Sequence, residues 1–410
     1  MKKKYLMISL LVILSFGIVL INNKKKYKVD NDSLAVFVDG ERTDTFPNKN
    51  NYSFASSNCD NDVSIEWDND TWSLYASNLD KKVKCNLYFQ EKLVSKVTNL
   101  SKIDTTNIAK DDPDNNIRYI GANPDNYVYF NCSDYSNQSD TTCEKWRIIG
   151  VFNNVTKSNG SKENLVKIIR EESIGGFSWD SSDSSKNDGE GVNNWNDADI
   201  MKLLNLGYDS ESLGGSIYYN AKSGTCYNGS KNATTSCDFT STGLKNDTTR
   251  NAIETVVWNL GGTASYNSSD NGLAINFYNY ERGTTVYSGN PTTWKSKISL
   301  MYPSDYGYAT SGGVSTSRAS CLNKALTTWN DSENVDCRTN NYLFKSEYGQ
   351  WTLTTSSSLI QGIFDISSKG VLSLDGAGYT DGVRPTIYLK ANISIKSGNG
   401  EENTPYQLNI

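Results

Sequence analysis

Apolar and polar residues alternate along much of this chain, and the period of two is that of β-strands. In V-S-I-E-W-D-N-D-T-W-S-L-Y-A, which starts at residue 63, two alternating runs flank a D-N-D turn. Alternating runs on both sides of a turn predict a hairpin. Further strands are predicted at S-L-A-V-F-V, W-R-I-I-G-V-F, L-V-K-I-I-R, Q-W-T-L-T, G-I-F-D-I, G-V-L-S-L and V-R-P-T-I-Y-L. The pattern therefore indicates a chain built mainly of sheet.

Three stretches have the helical period instead, with apolar residues three and four positions apart. They are about 197–204, with a cap at Asn196 or Asp197, about 248–260, and about 318–329. For the second, Asp247 is a suitable N-cap and the pair Gly261-Gly262 suits the C-terminal end. Few helices among many strands predict an α+β fold with an irregular antiparallel sheet and long loops.

Changes in composition divide the chain into four parts. Residues 1–29 are predicted to be a membrane anchor with flanking lysines, and residues 30–90 a small all-β module. Residues 91–116 are polar and weakly patterned, which favours a linker. Residues 117–410 hold the remaining strands and helices and are predicted to form one large α+β domain.

The N-terminus predicts an anchor because Lys2–Lys4 precede an apolar run, Tyr5–Ile21. At the rise of an α-helix this run is about 25 Å long, just enough to span a bilayer core. The alternative is a cleaved signal peptide, but Asn22, Asn23 and Lys24–Lys26 follow the run instead of the small residues of a cleavage site. We therefore expect a single-pass protein of the cell membrane.

Charge and composition exclude several chemistries. The chain has no histidine, which removes histidine-based nucleophile activation and every metal site that needs an imidazole. The formal charge of −6 argues against a nucleic-acid partner, because such proteins carry a basic footprint. We expect a binding protein rather than an enzyme. The catalytic alternative is a carboxylate-dependent enzyme acting on envelope polysaccharide, which spacing alone does not exclude.

Eight cysteines predict a disulfide framework, because none belongs to a C-x-x-C pair and no histidine is present to complete a zinc site. Disulfides form in oxidising compartments, so the bulk of the chain is expected outside the cell. The spacing suggests pairing between neighbours in sequence. The predicted bonds are Cys59–Cys85, Cys132–Cys143, Cys226–Cys237 and Cys321–Cys337.

Aromatic and polar residues are densest between residues 294 and 308. Aromatic rings beside hydrogen-bonding groups suit sugars and protein partners, although the same side chains also suit a core beneath long loops. The candidate ligand-binding residues are Trp294, Tyr302, Asp305, Tyr306 and Tyr308.

Two sets of charged residues are also candidates for a specific role. Arg384 precedes a proline in an apolar strand pattern and needs a carboxylate partner, for which Glu281 is the main candidate and Asp305 the alternative. A loop rich in glycine and carboxylates resembles the oxygen-rich sites that hold Ca²⁺. A solvated acidic loop is the alternative. The candidate calcium ligands are Asp180, Asp183, Asp188 and Glu190.

Several motifs occur in an order that resembles a known group of domains. They are W-R-I-I-G from Trp146, W-K-S-K-I-S-L-M-Y-P-S-D-Y-G-Y-A, W-T-L-T from Trp351, G-I-F-D-I, G-V-L-S-L and G-V-R-P-T-I-Y-L. Together they resemble uncharacterised extracellular domains of Gram-positive bacteria, which in turn are similar to the C-type-lectin-like fold of sulfatase-modifying factors. The resemblance covers roughly residues 117–395 and implies a C-type-lectin-like head. The Cys59–Cys85 module resembles a small β domain that often precedes it.

The resemblance implies a surface-displayed, adhesin-like protein that recognises a glycan or a protein through the loops of its head. The reactive cysteine pair of sulfatase-modifying enzymes is missing, because no cysteine follows Trp351. The E-P-N and Q-P-D triplets of calcium-dependent lectins are also absent. A purely structural envelope protein is the remaining alternative.

Overall fold

The computed structural model describes residues 34–60, 64–68, 71–77, 84–180, 187–205, 223–226, 235–238 and 243–410. The described residues form two compact units. The first runs to Asn99 and includes residues 391–397 and 408–410, and the second comprises residues 100–390 and 398–407. No helix among the described residues is both long and apolar enough to cross a membrane. The predicted anchor, residues 1–29, lies outside the described residues.

The first unit is a four-stranded sheet in the order β2-β1-β6-β3, in which β1 and β6 are parallel. Alternation in β1 and β6 buries Val36, Leu87 and Phe89 on one face, where partly buried Trp67 and Trp72 pack. The predicted W-D-N-D-T-W hairpin is confirmed as β4 and β5. The elements of this unit are β1 Leu34–Val38, β2 Glu41–Thr43, β3 Tyr52–Cys59, β4 Ser64–Asp68, β5 Ser73–Ser77, β6 Cys85–Glu91, α1 Leu93–Leu100, β23 Ser394–Ser397 and most of β24 Gln407–Asn409.

The second unit is built on two larger sheets. The first has the order β17-β22-β11-β10-β8-β7, with β9 also paired to β10, and the second has the order β12-β21-β18-β19-β20. Their strands are β7 Ile108–Ala109, β8 Ile117–Tyr119, β9 Tyr127–Phe130, β10 Glu144–Thr156, β11 Lys162–Arg170, β12 Gly176–Ser178, β17 Ile298–Ser299, β18 Gln350–Thr355, β19 Gly362–Ile366, β20 Leu372–Gly376, β21 Thr380–Gly382 and β22 Thr386–Tyr388. The predicted strands thus occur, and most of their residues are buried.

The remaining elements of the second unit are short. Its helices are α2 Asp199–Leu204, α3 Asp247–Ala252, α4 Ala274–Glu281, α5 Pro303–Tyr308, α6 Arg318–Leu322 and α7 Val335–Thr339, with 3₁₀ turns at Asn187–Gly189 and Leu326–Thr328. Two antiparallel strand pairs complete it, β13 Ser223–Cys226 with β14 Thr235–Asp238 and β15 Val256–Asn259 with β16 Thr293–Ser296. Mostly sheet with few helices confirms the α+β class.

The predicted helix over 248–260 is wrong in its second half. The chain is helical only to Ala252 and then becomes strand β15, in which Trp258 lies opposite Trp294 of β16. Pairing with β16 and burial of Trp258 outweigh the weak helical preference of the two valines that start the strand. Asn246, rather than Asp247, is the N-cap, because its side chain accepts a hydrogen bond from Thr249 N.

Gly261 and Gly262 have a different role from the predicted helix end. A Cβ atom on Gly261 would lie 2.2 Å from the carbonyl oxygen of Tyr280, and one on Gly262 would lie 2.0 Å from that of Thr355. Only glycine permits backbones to approach so closely. The pair therefore lets the chain that follows β15 pass close to the backbone of helix α4 and of strand β18.

Two other helix predictions also need correction. The predicted helix over 318–329 is interrupted, because α6 ends at Leu322 and only a 3₁₀ turn follows. The helix near residue 200 is confirmed as α2, but it begins at Asp199 with Ala198 as N-cap, so neither predicted cap is used. The aromatic segment Pro303–Tyr308, for which no helix was predicted, is helix α5.

Three of the four predicted disulfides are confirmed in the described residues: Cys59–Cys85, Cys132–Cys143 and Cys321–Cys337. The first joins directly opposite positions of β3 and β6. The strands that carry Cys226 and Cys237 pair as a hairpin, in which Cys226 lies opposite Thr235 and Cys237 opposite Gly224, so the fourth bond stays a prediction. The side chains of these two cysteines lie outside the described part of the chain.

Candidate functional site

A cleft of about 200 Å³ in the second unit has an aromatic floor and a polar rim. Rings contributed by β10, β15, α4, β22 and the residue before α5 form the floor, and these side chains are themselves almost fully buried. We call it the charged cleft. Its floor is Phe152, Trp258, Tyr278, Tyr302 and Tyr388, and its rim includes Asp114, Asn153, Asn154, Asn259 and Arg282.

A β-bulge shapes one side of the rim. The register between β10 and β11 shifts between Phe152 and Val155, so Asn153 and Asn154 stand out of the ladder. Asn154 has a φ of 54°, a left-handed conformation that asparagine tolerates better than most residues. The Asn153 side chain donates to the carbonyl oxygens of Asp114 and Asn115, at 3.1 Å each. The bulge is therefore held in place before any ligand arrives, as bulges near functional sites often are.

Tyr278 contacts both the carboxylate of Asp114 and the guanidinium of Arg282 on the rim. Its hydroxyl donates to Asp114 Oδ2 at 2.5 Å and accepts from Asn116 Nδ2 at 3.0 Å. The Arg282 guanidinium lies over the ring of the same tyrosine, 3.4 Å from its centroid. Asp114 thus lies at the hydroxyl end of Tyr278, and Arg282 lies over the face of its ring. The rim therefore presents a hydrogen-bond acceptor and a hydrogen-bond donor on the same tyrosine.

Arg282 retains hydrogen-bonding capacity toward the cleft. Its Nη1 donates to Tyr278 O and to Glu281 Oε2, at 3.1 and 3.0 Å. Nε and Nη2 make no hydrogen bond to another described residue, and about a quarter of the side chain is exposed. A ligand in the cleft can therefore accept from these donors without breaking an internal bond.

Beneath the floor lies a group of buried charges, which we call the inner charge layer: Asp112, Arg118, Lys167, Glu281 and Asp305. Arg118 bonds Asp112 through Nε at 2.6 Å and Asp305 through Nη1 at 3.0 Å. Lys167 Nζ contacts the other oxygen of Asp305. Side chains this deeply buried persist as ions only when each has a partner, and here each has one.

Burial and pairing shift the titration of these groups in opposite directions. Burial raises the pKa of Glu281 to about 7, although Arg282 and Ser304 favour its ionised form. Burial also lowers the pKa of Lys167 to about 8, against the attraction of Asp305. Burial alone would raise the pKa of Asp305, but Lys167 and Arg118 outweigh it and lower that pKa. Asp305 is therefore the fixed anion of the layer.

The aromatic rings of the cleft floor also contact Lys167. The ammonium nitrogen lies 4.5 Å from the ring centroid of Tyr302, 5.1 Å from that of Phe152 and 5.5 Å from that of Trp258. Cation–π attraction orients these rings around the charge. The inner charge layer therefore sets the shape of the aromatic floor.

Of the five predicted ligand-binding residues, Tyr302 alone lines the charged cleft. Asp305 and Tyr308 lie behind it, where both contact Arg118. Tyr306 packs against Trp329 and donates to Gly370 O, and Trp294 lies on strand β16. Helix α5 buries Tyr306 and Tyr308, which agrees with the alternative role in the core for these two residues.

The predicted pair between Glu281 and Arg384 is wrong, because each charge has nearer partners. Glu281 bonds Arg282 and the backbone and hydroxyl of Ser304. Arg384 donates to Arg170 O at 2.9 Å and to Gln350 Oε1 at 3.1 Å, and Glu171 Oε2 lies 3.7 Å from its Nη2. Asp305, the alternative partner, bonds Arg118 and Lys167 instead.

The predicted calcium ligands are not brought together in the described residues. Asp180 is buried and accepts from the backbone N–H groups of Val192 and Asp199, which closes the loop between them. Asp188 lies in a 3₁₀ turn with a φ of 52°, and Glu190 is exposed. Asp183 lies outside the described residues. Backbone hydrogen bonds therefore occupy the carboxylate of Asp180, one of the four candidate ligands.

A different carboxylate group, absent from the predictions, lies on the second sheet of this unit. Oxygens of Asp365, Asp375 and Asp381 lie within 4.8 Å of one another. Burial, with repulsion from its neighbours, raises the pKa of Asp365 to about 8, and burial with Asp375 raises that of Asp381 to about 7. We call this group the aspartate trio. Its oxygens are ligands of the kind that Ca²⁺ takes in proteins.

The prediction missed Arg118, Lys167 and the aspartate trio, although a signal for them was present. Arg118 in I-R-Y and Lys167 in L-V-K-I-I-R are charges at buried positions of apolar strands, the same feature that singled out Arg384. Asp365 in G-I-F-D-I is another such charge. A charge in a buried strand is costly without a partner, so each of these residues was a candidate for a specific role.

Comparisons with protein-family models, curated proteins and solved structures return no match for this chain. The resemblance to extracellular domains of C-type-lectin-like fold therefore stays a prediction, carried by its motifs.

Proposed function

We propose that the protein is a membrane-anchored binding protein of the cell surface, whose second unit recognises a glycan through the charged cleft. The observation that carries the proposal is the pairing of an aromatic floor with a rim of amides, one arginine and one aspartate. Sugars need flanking apolar surface and several oriented hydrogen-bond donors and acceptors, and sites of this composition supply both. A C-type-lectin-like fold for this unit is part of the same proposal.

The size of the cleft supports a small ligand. Its volume of about 200 Å³ is below the usual range of drug-sized pockets and suits one sugar ring. The ligand would therefore be a terminal residue of a longer chain, with the remainder outside the cleft. The three disulfides support display in an oxidising compartment, where such glycans are found.

Binding is better supported than hydrolysis at this site. Glycoside hydrolysis requires two carboxyl groups that flank the scissile bond. Asp114 is the single carboxylate among the described residues that line the cleft. Three other carboxyl groups, Asp112, Glu281 and Asp305, lie behind the floor in contact with Arg118, Arg282 and Lys167.

A glycan array probed with the full chain, with Ca²⁺ and again with EDTA, tests the proposal. We expect selective binding that survives EDTA, because the cleft offers arginine and amide donors rather than a metal. Asn259→Ala and Arg282→Gln should each weaken it at least about tenfold, since each removes a rim group. Tyr379→Ala, which removes an exposed ring that does not line the cleft, is the matched control.

Three results would contradict the proposed glycan site. Binding abolished by EDTA would move the site away from the cleft. Binding unchanged in both rim variants would also place the ligand elsewhere. If no glycan is retained, a protein ligand or a structural role replaces the proposal.

A further inference from the structure

We infer that the charged cleft selects uncharged sugars and rejects acidic ones such as uronates. The inference rests on the proposed function and adds the chemical class of the ligand. It comes from the balance of charges in and beneath the cleft, and from which hydrogen-bonding groups remain available there.

The charges around the cleft nearly cancel. Three cations, Arg118, Lys167 and Arg282, face four carboxyl groups, which are Asp114 on the rim and three in the inner charge layer. Each inner cation is already in contact with a carboxylate. An acidic ligand would therefore meet no uncompensated positive charge, and a buried ion that lacks a partner is strongly disfavoured.

On the rim itself, the positive charge of Arg282 is balanced by the nearby negative charge of Asp114. An acidic sugar that placed its carboxylate against Arg282 would also bring it near Asp114, because both residues contact Tyr278. Repulsion from Asp114 would then offset the attraction of Arg282. A hydroxyl group avoids this conflict, since it accepts from arginine and donates to aspartate with the same oxygen.

Below the rim, one buried donor has no partner. Arg118 is 1% exposed, and its Nη2 makes no hydrogen bond to any described residue. Its guanidinium lies 4.7 Å from the centroid of Phe152 and 5.9 Å from that of Tyr278, both of which belong to the cleft floor. Buried hydrogen-bond donors nearly always have an acceptor. We therefore expect Nη2 of Arg118 to donate to a hydroxyl of the ligand, or to a water molecule that the ligand holds.

The rim amides complete a surface suited to neutral ligands. Asn153, Asn154 and Asn259 line the cleft with side chains that carry no charge, and the bulge fixes the first two. Selectivity then follows from the groups that repel the wrong ligand as much as from those that attract the right one. Asp114 is the repelling group.

The test uses matched pairs of probes: methyl glucoside with methyl glucuronide, and methyl galactoside with methyl galacturonide. Affinities for the full chain are measured by calorimetry and by ligand-observed NMR, at low and high salt. We expect the neutral member of a bound pair to bind at least about tenfold tighter, with an affinity that salt barely changes.

The variant Asp114→Asn identifies the source of the selectivity. It removes the rim carboxylate but keeps an oxygen that can accept from Tyr278, so the fold should be retained. We expect the preference for the neutral sugar to shrink at least about threefold. A circular dichroism melt of the variant confirms that it is folded.

Three outcomes would overturn the inference, and they differ in whether the proposed glycan-binding function survives. Tighter binding of the uronide would leave the glycan-binding function standing and remove only the selectivity. A preference unchanged by Asp114→Asn would show that this carboxylate does not repel the ligand. Binding of no member of either pair, together with an empty glycan array, would remove the proposed function as well.

Discussion

Two groups of buried carboxylates in the second unit have opposite environments. In the inner charge layer, Asp305 contacts Arg118 and Lys167, which lower its pKa and keep it ionised. In the aspartate trio, Asp365 is equally buried, but its neighbours are two further aspartates and the hydroxyl of Ser373, and its pKa rises to about 8. The same side chain is thus an anion in one place and an acid in the other.

The difference shows that partners, rather than burial, decide the state of a buried carboxylate. Removal from water penalises both groups, and only the cations beside Asp305 reverse the penalty. The inner charge layer is therefore expected to fail when one partner is removed. The aspartate trio is instead expected to respond to protons.

The largest effect is predicted for Asp305→Ala. The substitution leaves Arg118 and Lys167 buried without their shared anion and removes the side chain that accepts from Tyr302 N at the start of α5. We expect the free energy of unfolding of the second unit to fall by roughly 3 to 5 kcal/mol, measured by chemical denaturation. Asp331→Ala, at an exposed aspartate, should cost less than about 0.5 kcal/mol. Equal losses in the two variants would contradict the contrast.

A smaller effect, and one that depends on pH, is predicted for Asp365→Asn. Folded Asp365 keeps its proton up to about pH 8, whereas the unfolded residue loses it near pH 4. The wild-type protein therefore loses stability as the pH rises through that window, and the variant avoids the loss. One titrating group changes stability by up to about 1.4 kcal/mol per pH unit in this window, so we expect the advantage of the variant over wild type to grow by at least about 2 kcal/mol between pH 4.5 and pH 8.5.

The measurement is a series of chemical denaturation curves across that pH range in EDTA, with Asp331→Asn as the control. A gain that does not change with pH would show that Asp365 does not titrate in this window. Repeating the series in millimolar CaCl₂ sharpens the comparison. A cation bound by the trio would remove the pH dependence of the wild-type protein.

The smallest predicted change in stability concerns the backbone conformation at the aspartate trio and at the charged cleft. Asp365 and Asp375 lie in regular strands, whereas the cleft depends on a bulge in which Asn154 has a left-handed φ. Asn154→Gly should change stability by less than about 0.5 kcal/mol, and Asn154→Val should cost about 1 to 2 kcal/mol, because a β-branched residue disfavours that conformation. Thermal melts of both, with Lys162→Val on the regular part of the paired strand as control, test this. Equal tolerance of glycine and valine would argue against the bulge geometry.

Strands and disulfides were predictable from the sequence because both depend on local signals. Alternation at W-R-I-I-G-V-F and G-I-F-D-I reports which face of a strand is buried, whatever its neighbour is. The disulfides were predictable because each joins cysteines that are neighbours in sequence. The helix over 248–260 failed because its apolar spacing suits either structure, and the partner strand Thr293–Ser296 decided between them.

The candidate site was predicted only in part, since its residues come from distant segments. Tyr302 was found through a local density of aromatic residues. Its partners on the cleft, Asp114, Asn154 and Arg282, lie in three other segments whose polar residues look like ordinary loops. Pairing in the inner charge layer could not be assigned either, because several carboxylates were equally plausible partners for each buried cation.

By itself, the sequence determined the α+β class, most of the strands and three disulfides of the described residues, and it excluded histidine chemistry. These properties follow from residue counts and from periodicity along a single segment. Only the tertiary structure decided that Asp305, rather than Glu281 or Asp365, is the partner of the buried cations. A charge interaction depends on the distance between side chains and on the water removed around them, and both are set only when separate segments pack together.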